Sequence, residues 1–383
     1  MRIALVTDTY TPQVNGVTTV VRRMAQTIAC AGNACAVVAP RYPGEGTAPP
    51  LELRLPSIPF PPYPAIRLAL MAGGPVTRYL DAFRPDAVHV ATEGPLGLVG
   101  RNYALRRDLP LMTAFHTDFP AYCRHYGAAR LEPAVWRWLL WFHGPARLTH
   151  TPGEHMRDAL VTRGLDQAVV WGRGVDADHF RPDRDRAPWR WRLGLPAGVA
   201  LVLHVGRLAP EKNLAMLWES WSIARAALGR RAQFVVAGDG PAAQLVRSRM
   251  PWATHLGFLK REPLADLYAA ADVCVLPSAT ETCGLVALEA MASGVPVVAA
   301  NAGGFRESIR HGTTGLLARP SDPEALAAHI VHLVMERDRR LAIAAAARRF
   351  ALSRSAALED AALLTEIQAL VGETPREGAV CAA

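Results

Sequence analysis

The stretch "ADVCVLPSATETCGLVALEAMASGVPVVAA", residues 271–300, decides the fold. It opens on a short β-branched run, "ADVCVLPS", and closes on another, "VPVVAA". Between them lies "ETCGLVALE", residues 281–289, an apolar segment with a glutamate at each end. Strand, turn, helix and strand in that order form a βαβ unit, and such units build parallel sheets. Two carboxylates flanking an apolar helix start are not needed for folding and ask for a chemical reason.

The same alternation runs outward in both directions. Before residue 180, strands are expected at "RIALVTD", "ACAVVAP", "DAVHVAT", "LPLMTAFH" and "ARLTHTP". After it they recur at "ALVLHVGRL", "AQFVVAGDG", "ATHLGFL" and "TGLLARP". Segments such as "GVTTVVRRMAQTIACAG" and "LADLYAAA" fit the intervening helices. At 383 residues, half of them hydrophobic, the chain is long enough for two cores. The fold class expected is α/β, with two Rossmann-like, doubly wound parallel-sheet domains. The domains are expected at 1–178 and 190–352, with a helix at 354–370 packing back on the first. The run 176–196, rich in Pro, Arg and Asp, reads as a solvated linker. "LPSIPFPPYPAI", residues 55–66, reads as a long loop, because Pro is excluded from central strands.

Composition excludes several classes. The net charge is +8, and of 42 basic residues only Lys212 and Lys260 are lysines. Each half of the chain is mildly basic and no basic block stands out, which argues against a nucleic-acid binder. A weak attraction to an anionic membrane surface is compatible with that charge. No run of 18 apolar residues suggests a membrane span, and "MRIALVTDTY" does not read as a signal peptide. The six cysteines form no CxxC pair and read as reduced thiols, so the expected location is cytoplasmic.

Ligands of open α/β sheets sit beyond the carboxyl ends of the strands. The first strand delivers "TDTYTPQVNGVTTVVRRM", where Gly16 at a helix start permits close approach of an anion. This is not the GxGxxG fingerprint, which disfavours an NAD-dependent oxidoreductase. "GRLAPEKN", residues 206–213, places Arg207 and Lys212 on one turn, suited to one anion. In "ETCGLVALE", Thr282 is expected to cap a helix and leave the amides of Cys283, Gly284 and Leu285 for phosphate oxygens. Glu281 and Glu289 would then accept hydroxyl protons at the two ends, about 12 Å apart if all eight residues are helical. A nucleotide sugar has that form: two hydroxylated rings joined by a diphosphate. Gly238 in "GDGP" and Gly257 and Phe258 in "HLGFLKRE" end neighbouring strands and are expected to meet the base. His116 ends "LPLMTAFH". No metal-ligand spacing accompanies it, and no metal is expected. "WRWLLWF", residues 136–142, reads as a helix packed on the first sheet.

These residues carry a resemblance. "GRLAPEKN" followed by "PSATETCGLVALEAMASGVPVVAANAGGFRESIRHGTTGLL" resembles the donor-binding half of glycosyltransferase family 4, retaining enzymes of GT-B fold whose two domains face a deep cleft. Glu281 and Glu289 match its E-x7-E signature. "DTYTPQVNGV", "PDAVHVATEGPLG" and "AFHTDFPAYCRHYG" are similar to the subgroup of mannosyl- and glucosyltransferases acting on lipids and glycolipids. Cys283 departs from the family's usual Phe.

The resemblance implies transfer of a hexose from a nucleotide-diphosphate sugar of the GDP-mannose or UDP-glucose type to a hydroxyl of a lipid, glycolipid or saccharide acceptor. It requires no cofactor beyond that co-substrate. Gly16 would approach the diphosphate, Arg207 and Lys212 would neutralise it, Glu281 would hold the sugar and Glu289 the ribose. His116 would contact the transferred sugar. Asp8, Tyr10, Asn15 and Tyr63 are candidates for the acceptor side. A nucleotide-sugar epimerase of the same fold and a non-catalytic nucleotide-sugar-binding protein are the competing readings.

Overall fold

The computed structural model describes residues 1–372 except 14, 61, 62, 71, 72, 126 and 173. Its chain divides into two units, the first running to Gly172 and resuming at Glu359, the second spanning 173–358.

The first unit is built on nine strands: β1 (Arg2–Val6), β2 (Ala34–Pro40), β3 (Glu52–Leu55), β4 (Ser57–Phe60), β5 (Tyr63–Ala69), β6 (Ala87–Val90), β7 (Leu111–Ala114), β8 (Leu148–Thr151) and β9 (Ala168–Val170). Seven of them form a parallel sheet in the order β3-β2-β1-β6-β7-β8-β9. Side chains of β1 alternate between two cores, Ile3 and Leu5 on one face, Ala4 and Val6 on the other. The helix Gly16–Cys30 buries Val20, Val21, Met24 and Ile28 on the Ile3 face. The helix Ala356–Gly372 adds Leu363, Ile367 and Leu370 to that face. The carbonyl of Glu359 accepts a hydrogen bond from the indole of Trp171 at 2.9 Å.

The second unit repeats the plan with β10 (Ala200–Val205), β11 (Ala232–Ala237), β12 (Thr254–Gly257), β13 (Val273–Leu276), β14 (Val297–Ala300) and β15 (Gly315–Ala318). The order is β12-β11-β10-β13-β14-β15, again parallel. β10, β13 and β14 are buried along their whole length, as central strands covered by helices on both faces must be.

Two readings of the sequence are corrected. Residues 57–69 are not a loop: β4 and β5 pair antiparallel as a separate two-stranded ribbon, with Pro59 opposite Arg67. A ribbon has two free edges, so a proline there sacrifices no ladder bond. The run 176–196 is not a solvated linker. Phe180 and Trp189 are buried in the second core, Arg184 meets Asp266 at 2.7 Å, and Arg186 and Arg190 share Asp272. Its charges are spent on pairs rather than left to water.

Candidate active site

The strand order of each sheet reverses at one place, between β1 and β6 in the first unit and between β10 and β13 in the second. Chains leaving adjacent strands in opposite directions open a crevice there, the usual ligand position of such sheets.

In the second unit, β10 leads into Gly206–Asn213 and β13 into Pro277–Gly284. The ammonium of Lys212 lies 2.6 Å from Oε2 of Glu281. Arg207 lies 3.4 Å from Oε1 of Glu211, a carboxylate that is almost fully buried. The carbonyl of Glu211 accepts the hydroxyl proton of Thr280 at 2.9 Å, which ties the two loops together. Glu281 is seated from behind by the glycine pair of "NAGGF". The amide of Gly304 donates to its carbonyl at 2.7 Å, and a Cβ on Gly303 would stand 2.3 Å from that oxygen.

The helix between the glutamates runs Leu285–Ala292 and is not capped by Thr282. Its cap is Gly284 at φ 72°, a left-handed conformation that glycine adopts freely. The amides opening the helix are therefore those of Leu285 and Val286, since Ala287 already donates to the Gly284 carbonyl at 2.8 Å. Half of the interval from Glu281 to Glu289 precedes the helix, so a 12 Å helical rise does not separate them. Cys283, where an aromatic ring was the resemblance's norm, is buried beneath this turn.

Glu289 is half-buried, and Tyr268 donates its hydroxyl to Oε2 at 3.3 Å. Burial pushes this carboxyl up to about 7, against the opposing pull of Tyr268 and Arg261. Gly238 is required by the fold: a Cβ would stand 1.9 Å from the Gly206 carbonyl, and its own amide donates to Gly257. Gly257 has φ 70°, and the ring of Phe258 beside it is 59% exposed.

His204 was not foreseen, although a histidine inside the apolar run "ALVLHV" was a visible signal. Its Nδ1 lies 2.9 Å from the carbonyl oxygen of Val275, which fixes the proton there and leaves Nε2 as an acceptor. Nε2 is buried with no hydrogen-bond partner. The ring lines the same pocket as Lys212, Ser278, Glu281, Val286 and Phe305. Burial, and secondarily Lys212, drives it down to about 4.

In the first unit, Asp8 cannot face an acceptor. It is buried, with its oxygens accepting from Leu96 N at 2.8 Å, Gly97 N at 3.2 Å and the Thr92 hydroxyl at 2.7 Å. It caps the helix Pro95–Arg106, whose own cap residue, Gly94, has no side chain to do so. Asn15 is likewise occupied, accepting from Thr18 N at 2.8 Å and donating to Thr9 at 2.9 Å. Tyr10 is buried under Arg54, whose guanidinium lies 4.8 Å from the ring centre. Tyr63 opens β5, and its side chain lies outside the described residues. Gly16 begins its helix with no protein atom within 4 Å of a prospective Cβ.

His116 follows β7, its Nε2 buried without a partner. Burial, then His150 and His143, lowers it to about 4, so it is neutral at working pH. His143 meets Thr113 at 2.9 Å and Glu93 at 3.3 Å. His150 meets His89 at 3.2 Å and Glu366 at 3.0 Å. Sequence reasoning singled out His116 and missed the three histidines around it. In the helix Glu132–His143, Leu139 and Phe142 are buried while Trp138 and Trp141 are 39% and 50% exposed, so packing explains one face only. Among the described residues, no three His, Cys, Asp or Glu side chains gather to hold a metal ion, and no helix is long and apolar enough to cross a membrane.

Two parallel-sheet units with a cation-bearing switch point define the class: a glycosyltransferase of GT-B fold. Solved structures agree on the fold. Sucrose-phosphate synthase from Thermosynechococcus elongatus superposes with TM-score 0.78 at 21% identity, covering 97% of this chain and 100% of that one. Anabaena Alr3699/HepE in complex with UDP gives 0.78 at 19% identity, covering 96% and 100%. The chain belongs to glycosyltransferase family 4: residues 14–179 match the model "Glycosyltransferase Family 4", and residues 200–336 match "Glycosyl transferases group 1". A GDP-mannose-dependent alpha-mannosyltransferase of Mycobacterium tuberculosis is 35% identical over 99% of both chains. Its counterpart in Mycolicibacterium smegmatis is 35% identical over 97% of this chain and 98% of its own.

Proposed function

We propose that this glycosyltransferase moves mannose from GDP-mannose to a hydroxyl of a lipid, glycolipid or saccharide acceptor, with retention of anomeric configuration and without a metal ion. The donor assignment is supported by the two full-length relatives, both named as GDP-mannose-dependent. The observation that carries the chemistry is the convergence of Lys212, Glu281 and the opening of the Leu285–Ala292 helix at one switch point.

Cleavage of the anomeric bond leaves positive charge on the sugar and negative charge on the departing diphosphate. Arg207, Lys212 and the amides of Leu285 and Val286 are the groups that stabilise the second. Fixed donors aimed at developing charge are worth about 10²–10³ each in rate, so a metal is not needed for it. Glu281 accepts sugar hydroxyls and Glu289 ribose hydroxyls. Neutral His116 hydrogen-bonds near the reacting carbon without adding a charge that opposes the cationic sugar. The acceptor hydroxyl attacks from the face the diphosphate leaves, giving retention. Exposed Trp138 and Trp141 next to Arg137 support a peripheral contact with an anionic membrane carrying the acceptor.

The test is transfer from GDP-mannose, UDP-glucose and ADP-glucose to a glycolipid extract, with the product's anomeric configuration read by NMR, in EDTA and in excess Mg²⁺. Transfer of mannose with an α-linkage in EDTA supports the reading. Transfer only from another donor, an inverted product or dependence on Mg²⁺ overturns the corresponding part.

A further inference from the structure

Building on the reading that Lys212 receives the donor diphosphate, we propose that Glu281 competes with the product nucleoside diphosphate for Lys212 and thereby promotes its release. The pair is close, at 2.6 Å, and sheltered, with Lys212 and Glu281 only 24% and 19% exposed. Its attraction is therefore screened less than that of a surface pair.

Both partners are held where they are. Lys212 ends the short turn Pro210–Lys212, whose Glu211 carbonyl is pinned by Thr280, one residue before Glu281. Glu281 is fastened through its own carbonyl to Gly304, and the space behind it admits only glycine at 303. The carboxylate is thus an anion permanently presented to the ammonium, at the position where a phosphate oxygen would seek it. His204, lining the same pocket, is held neutral and supplies no second cation to share between them.

A sugar-bearing donor and a bare nucleoside diphosphate meet this arrangement differently. The intact donor brings hydroxyl protons that hydrogen-bond to Glu281, compensating it while Lys212 turns to the phosphate. The product has lost those hydroxyls. Its diphosphate must take Lys212 from a carboxylate that gains nothing in exchange, and the two anions repel at close range. The same ion pair is tolerant of substrate and hostile to product.

Calorimetric titration of GDP, UDP and ADP, and of GDP-mannose without acceptor, into the wild type, Glu281→Gln and Glu281→Asp tests this. Glutamine keeps the shape and removes the charge; aspartate keeps the charge and shortens its reach. Thermal unfolding checks that each is folded. The proposal expects Glu281→Gln to bind the preferred nucleoside diphosphate roughly tenfold more tightly than the wild type, and GDP-mannose more weakly. Glu281→Asp should shift both in the same directions by less. In Lys212→Ala/Glu281→Gln the gain for the diphosphate should vanish. Equal or weaker binding of the diphosphate by folded Glu281→Gln overturns the competition while leaving the donor site standing. If no nucleoside diphosphate binds the wild type or the variants, the donor-site reading falls and takes the competition with it.

Discussion

The hydroxyl of Tyr268 lies 3.3 Å from Oε2 of Glu289, and this buried contact leaves Glu289 protonated to about pH 7. An unfolded glutamate releases its proton near 4.5. Between those values the folded protein binds more protons than the unfolded one, so Glu289 lowers stability as pH rises. Glu289→Gln keeps a partner for Tyr268 and removes the titration. Its stability relative to the wild type should improve by about 1–3 kcal/mol between pH 4.5 and pH 8. Denaturant unfolding at both pH values measures the difference; a pH-independent gap contradicts it.

The same carboxyl makes nucleotide binding a proton event. Ribose hydroxyls donate hydrogen bonds, and the ionised carboxylate accepts them better than the acid. Nucleoside diphosphate binding at pH 7 should therefore release a fraction of a proton, seen as a dependence of binding heat on the buffer's ionisation enthalpy. In Glu289→Gln the dependence should disappear and affinity should fall by about one to two decades, the worth of a charge-assisted bond. Buffer-independent heats in the wild type would place the ribose elsewhere.

Asp8 is assigned to the fold, not to the acceptor. Asp8→Ala leaves the amides of Leu96 and Gly97 without their acceptor, in a buried setting. The expected loss is about 1–3 kcal/mol of stability, read from the urea midpoint. Gly94→Ala should act similarly, because its Cβ would stand 2.6 Å from the Asp8 carboxyl. An Asp8→Ala protein of unchanged stability and impaired acceptor KM would restore the acceptor role.

Gly16 gives the opposite expectation. Nothing in the protein crowds its Cβ, and alanine favours a helix, so Gly16→Ala should be as stable as the wild type or slightly more. If the space is kept clear for a diphosphate, the KM for the donor should rise at least about tenfold while Tm holds. Normal KM with normal Tm would make Gly16 an ordinary helix start.

The sequence was most legible where one signal dominates. All six strands of the second unit lie within runs that apolar, β-branched residues mark out, because central parallel strands are buried on both faces and admit little else. The ribbon of β4 and β5 was hidden by its prolines, which exclude a central strand but not a free-edged one. The linker reading of 176–196 failed because composition counts charges without seeing their partners, such as Asp266 and Asp272 about 80 residues away. In the site, Lys212 and Glu281 could be singled out separately, yet 69 residues part them in the chain and their contact is a product of the fold. Thr282 looked like a cap by residue type, whereas the backbone turns at Gly284, where φ is positive. Asp8 and Asn15 were polar residues after a strand, which fits ligand contacts and helix caps equally well; only their hydrogen bonds distinguish the two.

The claim on which the rest depends is that the switch point between β10 and β13 holds the leaving diphosphate on Lys212 and Arg207. The direct test is kcat for mannose transfer from saturating GDP-mannose by Lys212→Ala and Arg207→Ala, each shown folded by its unfolding temperature. Loss of transition-state charge stabilisation should lower kcat by about 10²–10³ in each variant. Near-normal turnover in both folded variants would contradict the assignment of this corner to the leaving group.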